Sequence, residues 1–144
     1  MLAVSYVWRV ALAIVVLVLA TISFEIKAGR RLRVYWDRRC TGIQWRRRFP
    51  SASKHDIRAF LDAFVDGFAF PRKRRLCFSP DDKIIDVYRT LYPSPHTPDS
   101  LEIETFTKVL EDRYALDVDR LPQREYTLGE LFALTHPQPV TDEL

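Results

Sequence analysis

The side chains that most often carry acid–base, nucleophilic or metal chemistry are scattered along this sequence. Its histidines and cysteines have no partners at the spacing of a metal site or a catalytic triad: His55, His96, His136, Cys40 and Cys77. Two cysteines make no disulfide framework, and Cys77 beside Phe78 is expected to be a small buried hydrophobic residue. We therefore predict no catalytic residue and no metal site, so the chain is not expected to be an enzyme.

Charged residues divide the sequence into two parts of opposite sign. The formal net charge of the 144 residues is +3. Residues 25–75 contain 15 Lys and Arg against 5 Asp and Glu, whereas residues 76–144 contain 6 against 14. Because the acidic part would repel phosphate, this distribution disfavours a nucleic-acid binder. A hydrophobic content of 47% also argues against a disordered chain.

The N-terminal region contains an uncharged apolar stretch at residues 10–24, with the sequence VALAIVVLVLATISF. With residues 2–8 it reaches the length that a bilayer needs, about 20 residues. A cleaved signal peptide is the alternative, but its positive charge would precede the apolar run, and here it follows in GRRLRVYWDRR. We predict a single-pass transmembrane anchor over residues 1–24. By the positive-inside rule the soluble domain is expected on the cytoplasmic side of a bacterial inner (plasma) membrane.

Residues 25–52 form a basic segment interleaved with aromatic residues such as Trp36 and Trp45. Their position beside the anchor predicts a juxtamembrane segment that contacts anionic lipid head groups. The arginines expected to do so are Arg30, Arg31, Arg33, Arg38 and Arg39. A docking surface for an acidic partner or for nucleic acid is the alternative, although no nucleic-acid-binding motif is present.

The rest of the sequence has the three- and four-residue apolar spacing of short amphipathic helices. Ser53 followed by Asp56 is typical of a capped helix start, and Thr127 followed by Glu130 of a capping box. Helices are predicted over residues 53–68, 79–91, 99–114 and 127–134. Residues 136–144 are expected to be a flexible tail. With no sustained strand pattern, the predicted fold class is all-α.

Two further local features accompany these helices. The helix at residues 79–91 is expected to open at Ser79-Pro80, with proline at the first helical position. The next is expected to open at Asp99, with Glu102 as a reciprocal cap. Between the first two helices, the basic run PRKRR at residues 71–75 is expected to be a solvated loop.

One run of twenty residues resembles the second helix of acyl carrier proteins. It is DSLEIETFTKVLEDRYALDV, residues 99–118, with the Asp-Ser-Leu motif at its start. The run TLGE at residues 127–130 resembles the opening of that family's last helix, and residues 78–85 resemble its loop-one segment. Carrier proteins usually have Gly-x before Asp-Ser-Leu, where this chain has Thr97-Pro98. The resemblance covers about residues 53–135 and implies a small four-helix bundle.

The resemblance also implies a site. Ser100 would be the attachment point of 4'-phosphopantetheine, Asp99 would help to orient the modifying transferase, and Leu101 would lie beside the arm. A serine at a helix N-terminus suits the new phosphodiester charge. Acidic side chains would face basic patches on a phosphopantetheinyl transferase and on acyl-transfer enzymes: Glu102, Glu104, Glu111 and Asp112. The alternative is that Asp99 and Ser100 only cap the helix and that the acidic positions are a solvated face.

Two functional hypotheses follow. The first is a membrane-anchored acyl-carrier-like protein that carries an acyl group as a thioester on phosphopantetheine attached to Ser100, in lipid or fatty acid metabolism. The second is a non-catalytic interaction protein (an immunity, adaptor or regulatory subunit) that uses the carrier fold without modification. Modification of Ser100 separates them.

Overall fold

The computed structural model describes residues 2–94, 101–122 and 124–137, and for residues 2–6 and 25 it describes the backbone alone. Within these ranges the chain forms helices and loops and contains no β-strand, which confirms the predicted all-α class. The α-helices are α1 (Leu2–Arg31), α2 (Arg33–Trp36), α3 (Gly42–Arg48), α4 (Lys54–Gly67), α5 (Ile84–Leu91), α6 (Leu101–Tyr114) and α7 (Leu128–Thr135). Two 3-10 helices, Arg72–Cys77 and Val118–Arg120, lie in the connections.

Helix α1 is long and apolar enough to cross a membrane. Its stretch Val7–Arg31 has 25 residues, of which the most apolar 18 in succession have a mean hydropathy of 2.4. The side chains from residue 7 to residue 24 are exposed. The helix continues past the predicted end at residue 24. Its last turn then packs against the rest of the chain, with Ala28 and the following Leu32 buried. The apolar helix and the globular part are therefore joined without an intervening loop.

Helix α4 lies at the centre of the hydrophobic core. The predicted start is confirmed, because the Ser53 hydroxyl accepts a hydrogen bond from the Asp56 N–H at 3.0 Å. The predicted apolar stripe is also confirmed, since Ile57, Phe60 and Phe64 are buried. A stripe of this kind stabilises a helix mainly by removing apolar surface from water.

Helices α4 and α6 pack against each other in opposite directions. Phe64, late in α4, has its ring centroid 5.3 Å from that of Phe106, whereas Phe60, one turn earlier, is 6.3 Å from Tyr114 at the end of α6. Gly67 permits the close approach, because a Cβ at this position would lie 3.0 Å from the Cβ of Phe106. The C-terminal end of α4 therefore lies beside the beginning of α6.

The basic segment is part of the same core. Trp45 on α3 is fully buried, and its ring contacts Phe49, Phe60 and Phe132 at centroid distances of 5.9, 6.2 and 5.7 Å. Tyr35 is buried as well. The packed unit thus extends well beyond residues 53–135, and the region expected to lie on the membrane contributes α2 and α3 to it.

The helix starts at α5 and α7 compare differently with those expected from the sequence. Helix α5 begins at Ile84, with Lys83 as its N-cap, so the expected opening at Ser79-Pro80 is wrong. Those residues form a turn instead, in which the Asp82 carboxylate accepts a hydrogen bond from the Ser79 N–H at 2.7 Å. The expected cap Asp99 lies outside the described residues. At α7, by contrast, the capping box between Thr127 and Glu130 is confirmed.

Gly129 on α7 lies against Pro80, and this contact leads to a test. An added Cβ would lie 2.8 Å from the Pro80 carbonyl oxygen and 2.9 Å from the Pro80 Cβ. We expect Gly129→Ala to lower the free energy of unfolding by about 1–3 kcal/mol through overpacking. Gly29→Ala is the control, because no atom lies within 4 Å of its added Cβ and alanine favours the helix. Denaturant unfolding of the full chain in detergent micelles measures both, and equal stabilities would contradict the close contact.

The capping box makes stability depend on pH. Hydrogen bonds from the Thr127 N–H and from Arg124 hold the pKa of Glu130 below its usual range. Because the carboxyl pKa is lower in the folded state, the ionised carboxylate stabilises the fold at pH values above the unfolded-state pKa, which is about 4.3. This stabilisation is lost as the pH falls through the folded-state pKa. We expect Glu130→Gln to be less stable than wild type at pH 7 and to approach it at pH 3. A difference that stays constant with pH in denaturant titrations would contradict this assignment.

Candidate functional site

The predicted attachment site lies at the edge of the described region. Asp99 and Ser100 are outside the described residues, and α6 begins directly after them at Leu101. The Leu101 side chain is 58% exposed, so an apolar group faces solvent at the first residue of the helix. An amphipathic α6 is confirmed, since Phe106 and Leu110 are buried.

The beginning of α6 is connected to α1 through one tyrosine. The Tyr92 hydroxyl donates a hydrogen bond to the carboxylate of Glu102. The Tyr92 ring also stacks on Phe24 of α1, with a centroid distance of 6.1 Å. Because Phe24 is the last residue of the apolar stretch predicted from the sequence, the start of α6 lies next to the place where that stretch ends.

An apolar cleft runs beside the first turns of α6. It has a volume of about 250 Å³ and is bounded by α5, α6, α7 and the connection between the last two. Its apolar walls come from separate parts of the sequence: Ile84, Ile85, Ile103, Phe106, Val118, Tyr126 and Leu131. This arrangement suits an aliphatic chain better than a polar ligand. Because these residues are far apart in the sequence, local sequence patterns could not indicate the cleft.

Charged residues lie at one side of this cleft. Glu125 forms an ion pair with Lys83 at 2.8 Å, and the hydrogen bond from Lys83 lowers the pKa of the Glu125 carboxyl. Arg124 pairs with Glu130 at 2.7 Å and lies over the ring of Tyr126 at 4.3 Å. These contacts join the connection after α6 to α5 and α7 and so hold that wall of the cleft.

The predicted partner-binding acids fall into two groups. Glu102 is half-buried and accepts the hydrogen bond from Tyr92, so its carboxylate is engaged within the chain. Glu104, Glu111 and Asp112 are exposed on α6. Oxygen atoms of Glu111, Asp117 and Asp119 lie within 4.8 Å of one another, which concentrates negative charge where α6 ends.

The arginines expected at the lipid surface differ in exposure and in ion pairing. Arg30, Arg31, Arg33 and Arg39 are exposed. Arg38 instead contacts both carboxylate oxygens of Asp82 at 2.7 Å, with side-chain exposures of 34% and 10%. Arg38 therefore connects the end of α2 to the turn before α5.

The basic run PRKRR is folded rather than a free loop. It belongs largely to the 3-10 helix Arg72–Cys77. Arg72 pairs with Asp66 at 2.8 Å and lowers the pKa of that carboxyl, and Arg75 pairs with Asp62 at 2.9 Å. The run thus folds back on α4.

The described histidines and cysteines differ in their exposure. His55 is exposed, His136 stacks on Phe132 at 4.4 Å, and His96 lies outside the described residues. Cys40 is exposed and Cys77 is half-buried.

Comparison of the chain with protein-family models, with curated proteins and with solved structures finds no match.

The ion pair between Arg38 and Asp82 gives a prediction with a neighbouring control. Asp82→Ala would remove the acceptor of both Arg38 and the Ser79 N–H. We expect it to lower the free energy of unfolding by about 2 kcal/mol. Asp81→Ala should change it by less than about 0.5 kcal/mol, because Asp81 is 77% exposed and its contact with Arg48 is 3.6 Å long. Equal effects of the two substitutions in denaturant unfolding would contradict the structural role of Asp82.

Proposed function

We propose that this chain is a membrane-anchored acyl-carrier-like protein that carries an acyl group as a thioester on phosphopantetheine attached to Ser100. The sequence resemblance supports this, since Asp99 and Ser100 of the Asp-Ser-Leu motif come directly before α6 in the sequence and Leu101 is its first residue. The order of elements supports it too, because α4, α6, the 3-10 helix Val118–Arg120 and α7 occur in the order of the four helices of a carrier bundle. The 3-10 helix Arg72–Cys77 and α5 are additional elements between α4 and α6. The antiparallel contact of α4 with α6 is consistent with that arrangement.

The apolar cleft beside α6 is the observation that carries the proposal. Phosphopantetheine, when bound, supplies the thiol on which an acyl group is held. Ile103 and Phe106 lie one and two turns after the attachment position, and Val118 faces them across the cleft. These side chains would bind methylene groups of the acyl chain and exclude water from it, with each buried methylene contributing about 0.8 kcal/mol.

The contact of the α6 start with α1 supports a function at a membrane. Phe24 and Tyr92 connect the exposed apolar helix to Glu102, two residues after Ser100. A carrier built in this way would hold its arm near lipid and near membrane enzymes. The proposal includes a cytoplasmic domain on the inner (plasma) membrane, with Arg30, Arg31, Arg33 and Arg39 near anionic lipid head groups.

Partner recognition would use the acidic face of α6. Glu104, Glu111 and Asp112 are exposed, and they would meet basic patches on a phosphopantetheinyl transferase and on acyl-transfer enzymes. Leu101 would make the apolar contact beside the arm, and Asp99 would help to orient the transferase.

Intact-mass spectrometry tests the proposal. We expect the full chain, co-expressed with a phosphopantetheinyl transferase or incubated with the enzyme and coenzyme A, to gain the mass of one phosphopantetheine. Ser100→Ala should gain none, because the attachment hydroxyl is gone. Thr105→Ala, which removes an exposed hydroxyl on α6, should be modified like wild type.

A lack of modification would decide between the two functional hypotheses. A wild-type chain that stays unmodified with several transferases would contradict the carrier function and favour a non-catalytic interaction protein. Modification of Ser100→Ala would contradict the assignment of the attachment residue.

A further inference from the structure

A second apolar hollow, which shares no lining residue with the α6 cleft, has a basic rim. It lies between α3, the first half of α4 and the 3-10 helix Arg72–Cys77, and its volume is about 210 Å³. Ile43, Ile57 and Leu76 provide its apolar surface. Its charged lining residues are all cations, namely Arg46, Lys54 and Arg58. We call these six residues the α3–α4 patch.

The cations of the α3–α4 patch are not neutralised within the chain as three other arginines are. Arg38, Arg72 and Arg75 are held in ion pairs with carboxylates. In the ranges that the structure describes, none of the three patch cations forms an ion pair. Their charge is thus available to carboxylates from outside the chain.

The apolar part of the patch is also unusually open. Ile43 is 66% exposed although it lies on the same short helix as the fully buried Trp45. Ile57 is buried at the base of the hollow. An exposed aliphatic side chain over an apolar base, surrounded by charges of one sign, is typical of a surface that binds an amphipathic partner.

The position of the patch argues against bilayer lipid as its ligand. Lys54 and Arg58 are on the first half of α4, and Phe60, at the middle of α4, contacts Tyr114 at the end of α6. Glu102, at the other end of α6, is the residue connected to α1 through Tyr92. Since α6 has 14 residues, its two ends are separated by about 20 Å. The patch therefore lies toward the end of the α4–α6 pair that is remote from the apolar helix.

We propose that the α3–α4 patch is a docking surface for an acidic amphipathic helix of a partner protein. An apolar side chain of that helix would pack on Ile43 and Ile57. Carboxylates on either side of it would bind Arg46, Lys54 and Arg58, which fixes orientation and speeds encounter. The patch and the α6 cleft use different residues, so this docking does not depend on the modification of Ser100.

Fluorescence anisotropy on the full chain in phosphatidylcholine nanodiscs tests this assignment. The probe is a labelled synthetic helix of about five turns, with leucines at i, i+3, i+4 and i+7 and glutamates on both flanks. We expect a micromolar Kd, and clearly weaker binding of a matched peptide with glutamine in place of glutamate. Binding of the glutamate peptide should weaken with rising salt.

Paired variants separate the patch from general charge effects. Lys54→Glu combined with Arg58→Glu should raise the Kd about tenfold, whereas Lys73→Glu combined with Lys108→Glu changes net charge equally and should leave it within about twofold. Ile43→Ser should also raise the Kd about tenfold, through loss of the apolar anchor. Val34→Ser is its control, because Val34 is 59% exposed and lies outside the patch.

Three results would overturn the proposal. The first is equal binding of the glutamate and glutamine peptides by wild type. The second is equal weakening by the two double charge reversals, which would indicate non-specific attraction. The third concerns soluble short-chain phosphatidylglycerol. If this lipid displaces the peptide from wild type but not from the Lys54→Glu, Arg58→Glu variant, the patch would be assigned to an anionic lipid.

Discussion

One buried carbonyl group, that of Phe78, holds the basic N-terminal part of the chain to the helical core. It accepts hydrogen bonds from the Trp45 indole N–H at 2.9 Å and from the Thr41 hydroxyl at 2.6 Å. The Thr41 N–H also donates to the Leu76 carbonyl at 2.8 Å. A buried carbonyl without partners would be costly, so these bonds and the packing of Trp45 depend on each other. Through them α3 is fixed against α4 and α7, and the arginines of α3 have a defined place on the surface.

Local signals in the sequence predicted the parts of the fold that depend on local interactions. The caps at Ser53 and Thr127 involve residues three apart, and both were predicted. The predicted start of α5 was wrong because the Asp82 carboxylate accepts a hydrogen bond from Arg38, which is 44 residues away in the sequence. No local sequence pattern contains this contact. The core position of Trp45 was missed because arginines surround it, although Trp45 and Phe49 are spaced one helical turn apart.

The two candidate surfaces also depend on long-range contacts that local sequence patterns do not contain. The α6 cleft is assembled from four separate stretches of sequence, so only the attachment motif beside it could be predicted. The patch cations could not be distinguished from Arg38, Arg72 or Arg75 in the sequence, since pairing with a carboxylate is a property of the folded chain. The division into a basic and an acidic part is softened in three dimensions at the turn before α5, where Arg38 pairs with Asp82 and Arg48 contacts Asp81.

The unbroken passage from α1 into the packed unit has a mechanical consequence. With Ala28 and Leu32 buried, the apolar helix has no flexible tether after it, so rotation of the globular part about the helix end is restricted. In a bilayer, such a chain would search for partners mainly by lateral diffusion, with each surface kept at a fixed height above the lipid. Membrane-bound partners at a matching height would then experience a high effective concentration, whereas those at another height would be geometrically excluded.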